Sequence, residues 1–239
     1  MTLLTPKIPA SRSLSQLIPP LESGDRLTRA EFARRYEAMP DLKKAELVEG
    51  VVFVASPVRT DVHGTPHAGV IGWLMVYSAA TPGTRIGDNS TVGLDGENEY
   101  QPDAILMVES ENGGQARLDK RGYIAGAPEF VAEIAATSAS NDLNAKLNVY
   151  RRTKVREYFV WRTLEEELDW FVLRGDEFER QSPDPQGVLR STVFPGLWLD
   201  SAALLRGNMA AVLLKLQEGL ATPEHVAFAA SLKREQAGT

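Results

Sequence analysis

The chain contains no cysteine. That absence removes disulfides, thiolate zinc sites, iron–sulfur clusters and cysteine nucleophiles at one stroke. Long apolar runs are missing too, and no stretch approaches the length of about 20 residues needed to cross a bilayer. The N-terminal segment lacks the uninterrupted apolar core of a signal peptide, since Pro6, Pro9, Pro19 and Pro20 punctuate it. A soluble, cytoplasmic protein is expected. Positive charge is not in excess either: 26 Lys and Arg face 32 Asp and Glu, for a net charge of -6. Such a balance excludes a protein that coats nucleic acid by bulk charge, while leaving room for a local basic groove. Gly113-Gly114 is not followed by Gly-Lys-Ser/Thr, which excludes a nucleotide-binding loop. His63 and His67 stand four apart, but Gly64 and Pro66 intervene and no glutamate follows His63. A helical zinc site is therefore not expected, and a metallohydrolase built on the two histidines is the most distant reading. His67 reads as a structural histidine or, less plainly, as a phosphate contact.

What is present suffices for one sizeable core: 239 residues, 43% of them hydrophobic. Residues 1–24 are rich in Pro and Ser and read as a mobile leader. Thr28 starts a short helix with Glu31 as its capping-box partner. The run AELVEGVVFVA over 45–55 reads as a hairpin turning near Glu49-Gly50. A helix is expected from Pro66 to about Ala80, with Thr65 as N-cap and Val70, Ile71, Leu74 and Met75 as its apolar face. Strands are expected around 84–94, 102–108 and 129–135, the last two joined by a Gly-rich connection. Ser140 or Asn141 caps a helix reaching Thr153, whose buried side would be Leu143, Leu147 and Tyr150. A strand over 157–162 follows, then a hairpin of LDWFVL and EFERQ around Arg174-Gly175-Asp176. Two amphipathic helices broken at Ala221-Thr222-Pro223 end the chain. Strands and helices mix without strict alternation, so the fold class is α/β with a mixed β-sheet flanked by helices.

Two short stretches carry the chemistry. Asp103 leads into Ala104-Ile105-Leu106-Met107-Val108, and Glu133 lies among Phe130, Val131, Ile134 and Ala135. A carboxylate inside an apolar strand is costly unless its charge is compensated, and two on neighbouring strands would repel. A divalent cation between them removes both problems, because hard oxygen ligands are what Mg²⁺ takes. Mg²⁺ is the expected ion, with Mn²⁺ as an alternative, and a metal-dependent phosphodiesterase follows. On this reasoning Asp103→Asn should keep or raise the stability of the metal-free protein. Lys146, on the helix after Glu133, is the candidate cationic side chain at the border of the buried face. Glu46, in Ala45-Glu46-Leu47-Val48, is a candidate third carboxylate. Taken singly, each has a plainer reading: a carboxylate facing water, a surface lysine paired with Asp142, a solvated strand position. Arg117, Lys120 and Arg121 follow the glycine turn as candidate backbone-phosphate contacts.

These residues resemble the putative restriction endonuclease family of the PD-(D/E)XK nuclease superfamily. The resemblance rests on Glu46-Leu47-Val48-Glu49-Gly50, Ser56-Pro57 with His67 opening a helix, Gln101-Pro102-Asp103, Pro128-Glu129-Phe130-Val131-Ala132-Glu133, Asp142, Lys146, Tyr150, Val155-Arg156-Glu157-Tyr158-Phe159-Val160 and Phe194-Pro195-Gly196-Leu197. It spans roughly residues 25–205 and implies a restriction-endonuclease-like domain there, with a C-terminal helical extension over 206–239. Pro102-Asp103 would be the "PD" element and Glu133 the "(D/E)" element. Ala135 stands where the pattern has a lysine, and the resemblance implies that Lys146 replaces it from the next helix. The implied activity is a metal-dependent endonuclease hydrolysing DNA phosphodiester bonds, with Asp103, Glu133, Lys146 and Glu46 as its catalytic set and Asp103 and Glu133 as metal ligands. DNA is the implied partner, with a homodimer left open and no membrane. The alternative is an inactive module of the same fold that binds DNA or a protein.

Overall fold

A computed structural model of the protein describes residues 18–55 and 59–236. The first part of the expected leader and the Ser56-Pro57 motif lie outside the described residues. Helix α1 (Arg29–Glu37) starts on Thr28, whose hydroxyl accepts the Glu31 amide. The Glu31 carboxylate does not complete the expected capping box, because Arg34 and Arg35 take it. Residues 21–24, part of the expected mobile leader, are tied down: Leu21 is buried with Phe32, Leu47 and Val52, and the Gly24 amide donates to the Val52 carbonyl.

Strands β1 (Ala45–Val48) and β2 (Val51–Val54) form the expected hairpin. Glu49 (φ 50°) and Gly50 (φ 73°) both take positive φ, as the tightest hairpin turn demands. Helix α2 (Thr65–Ala80) does not begin where Pro66 suggested. A π-helical turn over Thr60–Gly64 runs straight into it, and Gly64 rather than Thr65 holds the cap position. Its inward stripe is Val70, Trp73, Leu74 and Tyr77, while Met75, expected inside, is 49% exposed. The expected strand over 84–94 is two: β3 (Thr84–Asp88) and β4 (Val92–Gly93) lie in different sheets. Then come β5 (Glu99–Tyr100), β6 (Ala104–Val108), β7 (Arg117–Leu118), β8 (Ile124–Ala125) and β9 (Phe130–Ala135). One helical run follows, made of α3 (Ala139–Asn141), a π-helical turn over Asp142–Lys146 and α4 (Leu147–Arg152). Strands β10 (Glu157–Arg162), β11 (Glu167–Arg174), β12 (Glu177–Arg180), β13 (Val188–Arg190) and β14 (Trp198–Asp200) lead to three helices rather than two: α5 (Ser201–Leu205), α6 (Met209–Leu220) and α7 (Pro223–Gln236).

The main sheet has the order β12-β11-β10-β9-β6-β3, and a second sheet has the order β2-β1-β5-β4-β8-β7. Both are mixed: β9 and β10 run parallel in one, β4 and β8 in the other, and the remaining pairs are antiparallel. The helical run between β9 and β10 supplies the crossover that a parallel pair requires. Alternation along the central strands sorts the core. Phe130, Ala132, Ile134, Ala104 and Leu106 face α2 and the C-terminal helices, whose Val212, Leu216 and Leu232 close over that side. Val131, Ala135, Ile105 and Met107 face α4 and the second sheet, meeting Val149, Tyr150, Val48 and Tyr100. Period-two parity therefore places Asp103 and Glu133 on this second side, between the two sheets. No helix among the described residues is long and apolar enough to cross a membrane.

Candidate active site

Asp103 immediately precedes β6, and the antiparallel register Ala104↔Ala132 sets it opposite Glu133 of β9. Each residue is 3% exposed. Glu46 comes from β1 of the facing sheet and Lys146 from the π-helical turn before α4. The Lys146 ammonium gathers three carboxylates: Glu46 Oε2 and Glu133 Oε1 at 2.9 Å each, and Asp142 Oδ1 at 3.4 Å. It also lies 5.8 Å above the Tyr100 ring centroid. Both plain readings of Lys146 and Glu46 thus give way: neither is solvated, and Asp142 is one partner of Lys146 among three. The Glu46 carboxylate is held from its other side by the Gln101 amide at 2.9 Å, so the Gln101-Pro102-Asp103 segment positions two acids at once. Tyr150 donates to Glu133 Oε1 at 3.2 Å.

The inward row of this helical run is Asp142, Lys146, Val149 and Tyr150, not Leu143 and Leu147, which are only half-buried. Apolar periodicity pointed to the leucines. A row of ion-paired groups took the inward position instead, on a π-helical turn of the kind that recurs at functional sites.

Asp103 has a different set of partners. Lys44 Nζ is 3.0 Å from Oδ1, the Ile134 amide donates to Oδ2 at 2.8 Å, and His63 Nε2 is 3.3 Å from Oδ2. His67 Nε2 donates to the Asp103 carbonyl at 2.8 Å and approaches Asp88 Oδ1 at 3.1 Å. The early helical turn of Thr60–Gly64 is what brings His63 here, its ring 5.7 Å from that of His67. Reading the helix as starting at Pro66 set His63 apart from the site. Lys44 stands two residues before Glu46, and the hairpin ladder continues to it through the Ala55 amide, which puts both side chains on one face. Arg121, an expected phosphate contact, pairs with Asp119 and Glu37.

The electrostatics of the two central acids diverge. Burial works to raise the Asp103 carboxyl, but the His63 hydrogen bond, Lys44 and the Ile134 amide overcome it and hold the pKa well below the usual carboxylate range. Its ionised form therefore stabilises the fold, and Asp103→Asn should destabilise the metal-free protein, contrary to the expectation from sequence. Glu133 goes the other way. Burial, reinforced by Asp142, Asp103 and Glu46 against the pull of Lys146, pushes it up to about 8. Asp142 is also raised, chiefly by burial. Lys146 is disfavoured by burial, yet Glu133, Glu46 and Asp142 raise it well above the ordinary lysine value. Lys44 is likewise raised against burial, by Asp103, Glu133 and Glu46.

Four buried carboxylates (Glu46, Asp103, Glu133, Asp142) thus share two ammonium groups. The donors are hard oxygens and the cluster is short of positive charge, which fits a hard divalent cation. Among the described residues, no three His, Cys, Asp or Glu side chains already stand in metal-ligand geometry, because ammonium groups fill the spaces between the acids.

A mixed sheet with "PD" on one strand, an acid opposite it on the next and a lysine against that acid defines the class: the fold is of the restriction-endonuclease-like type. Residues 29–202 match the Uma2 family, described as putative restriction endonucleases, and the chain belongs to that family. Among solved structures it is similar to a putative nuclease belonging to DUF820 from Anabaena variabilis, with a TM-score of 0.55 and 13% identity over 73% of this chain and 97% of that one. At that identity the likeness is one of fold. No curated protein matches the sequence.

Proposed function

We propose that this protein is a divalent-metal-dependent endonuclease that hydrolyses DNA phosphodiester bonds, with Mg²⁺ or Mn²⁺ held by Asp103 and Glu133. The observation that carries this reading is a buried cluster in which four carboxylates, Glu46, Asp103, Glu133 and Asp142, share two ammonium groups. Membership of a family of putative restriction endonucleases supports the same conclusion. A divalent cation bound there supplies Lewis acidity to the phosphate and makes water more acidic. Lys146 keeps Glu133 and Glu46 aligned and limits their repulsion. Glu46, anchored on the Gln101 amide, adds a further carboxylate oxygen to the cluster.

The test is nicking of supercoiled DNA with Mg²⁺, Mn²⁺ or EDTA, on wild type and on Glu133→Gln. Glu133→Gln is the informative variant because it removes a ligand charge from a cluster already crowded with acids, at the cost only of its attraction to Lys146. Metal-dependent nicking by wild type, lowered on the order of 10²–10³-fold in a fully folded variant, is the expected result.

A second reading, a DNA- or protein-binding module that does not cut, is favoured by one observation: both Asp103 oxygens are already satisfied without a metal. Wild type that binds DNA and never nicks it under any cation would establish that reading instead.

A further inference from the structure

We propose that Lys44 is an exchangeable occupant of the metal-binding edge of this site: it neutralises Asp103 in the metal-free protein, yields that oxygen to a divalent cation, and then contacts a phosphate oxygen of the substrate. This rests on the nuclease reading above.

The two lysines of the cluster are not equivalent. The Lys146 side chain is 4% exposed and lies within 3.4 Å of three carboxylates. Lys44 keeps 23% of its side chain exposed and pairs with one carboxylate, its second contact being Asn89 Oδ1 at 3.4 Å. Asp103 Oδ2 is fixed by a backbone amide, which cannot leave, and approached by His63. Among the described residues Oδ1 is held only by the Lys44 ammonium, at the end of a flexible four-carbon stem. Glu133 shows the same division. Its Oε1 is taken by Lys146 and Tyr150, while Oε2 has no partner among the described residues. The oxygens available to a cation are therefore Asp103 Oδ1, once Lys44 departs, and Glu133 Oε2.

A divalent cation and an ammonium cannot share one carboxylate oxygen at close range without strong repulsion. Lys44 must swing away, and the exposed side of the site is its way out. His63, His67 and Asn89 border that side. A phosphodiester approaching from solvent meets Lys44 there before it could reach Lys146.

The experiment uses the full chain and does not depend on turnover. Mn²⁺ is titrated by calorimetry without DNA, and a short DNA duplex is titrated by fluorescence anisotropy in Ca²⁺. Lys44→Met should bind Mn²⁺ about 10-fold tighter or more, because no ammonium has to be displaced. The same variant should bind the duplex more weakly, with a salt-dependence slope reduced by about one. Opposite movements of the two affinities are the signature, since a merely structural lysine would weaken both or neither. Lys44→Arg covers the case in which the methionine variant does not fold: its guanidinium grips Asp103 harder, so Mn²⁺ should bind more weakly than to wild type. If wild type binds Mn²⁺ and neither substitution shifts that affinity in its stated direction, the role of Lys44 is overturned alone. If wild type binds no Mn²⁺, the metal nuclease reading fails and the role of Lys44 fails with it.

Discussion

Glu129 immediately precedes β9 and Glu133 lies within it four residues on, and both are buried, at 1% and 3% exposure. They are compensated in different ways. Glu129 accepts the Val108 and Gln115 amides at 2.9 Å each, which pins the loop after β6 back onto the sheet. That loop passes so close to β6 that a Cβ on Gly114 would fall 1.9 Å from the Val108 carbonyl oxygen. On the neighbouring strand Glu157 does a similar job, taking the Ser191 hydroxyl at 2.7 Å and the Thr192 amide at 2.6 Å. Backbone dipoles and hydroxyl groups at this end are built into the fold. Glu133, at the other end, is compensated by the Lys146 ammonium and crowded by three further acids. Burial of a carboxylate alone therefore says little about function. Among the described residues neither Glu129 nor Glu157 pairs with a cation, which marks them as fasteners, whereas ammonium groups hold the acids of the site.

Three substitutions test that distinction, the largest effect first. Lys146→Met leaves three carboxylates facing one another without their cation. Removing one partner of a buried ion pair costs about 3–5 kcal/mol, and urea denaturation at pH 8 in EDTA should show a loss of that size. The loss should shrink toward pH 5 as the cluster takes up protons. An equal loss at both pH values would reduce Lys146 to packing. It also follows that a drop in cleavage by a Lys146 variant must be read beside its stability.

Glu129→Gln comes next. The amide keeps one acceptor and turns an N–H group toward a backbone N–H, so a loss of about 1–3 kcal/mol is expected. Denaturation with and without Mn²⁺ should give the same figure, and a difference between them would erase the contrast between the two ends.

Glu133→Gln, the same isosteric change at the other end, should act with the opposite sign. The folded-state pKa of Glu133 is pushed up to about 8, against 4.5 for the ordinary side chain. Below pH 4.5 the group is protonated in both states and carries no penalty, and the penalty grows from there up to about pH 8 and levels off above it. Wild type and variant should therefore melt together near pH 4.5 and diverge above it. A gain on the order of 1–2 kcal/mol for the variant at pH 8 in EDTA is expected, less than the full shift allows because the amide loses attraction to Lys146. A variant less stable than wild type at pH 8 would show that Glu133 is a fastener like Glu129.

Local chemistry made much of this fold legible. The turn at Glu49-Gly50 was visible because glycine tolerates positive φ, and β6, β9 and β10 because they are short apolar runs bounded by turn signals. Asp103 and Glu133 stood out for the same reason: in strands otherwise apolar on both faces, a carboxylate interrupts the pattern. Lys44 and His63 gave no comparable contrast. Each lies next to loop residues, where a charged or polar side chain is the ordinary occupant. The split of 84–94 between two sheets did leave a signal, the polar run Gly87-Asp88-Asn89-Ser90 with Asn89 at φ 45°, which reading the segment as one strand passes over.

The sequence by itself determined which strands could be buried and which acids would be buried with them, because strand periodicity and the cost of burying charge are local properties. Only the tertiary structure decided how those acids are compensated. Lys44 and Glu46 reach the cluster from the second sheet, His63 from the π-helical turn before α2, and Lys146 from the one before α4. Compensation depends on distances of about 3 Å between groups far apart in the chain, and no spacing along a sequence encodes those distances.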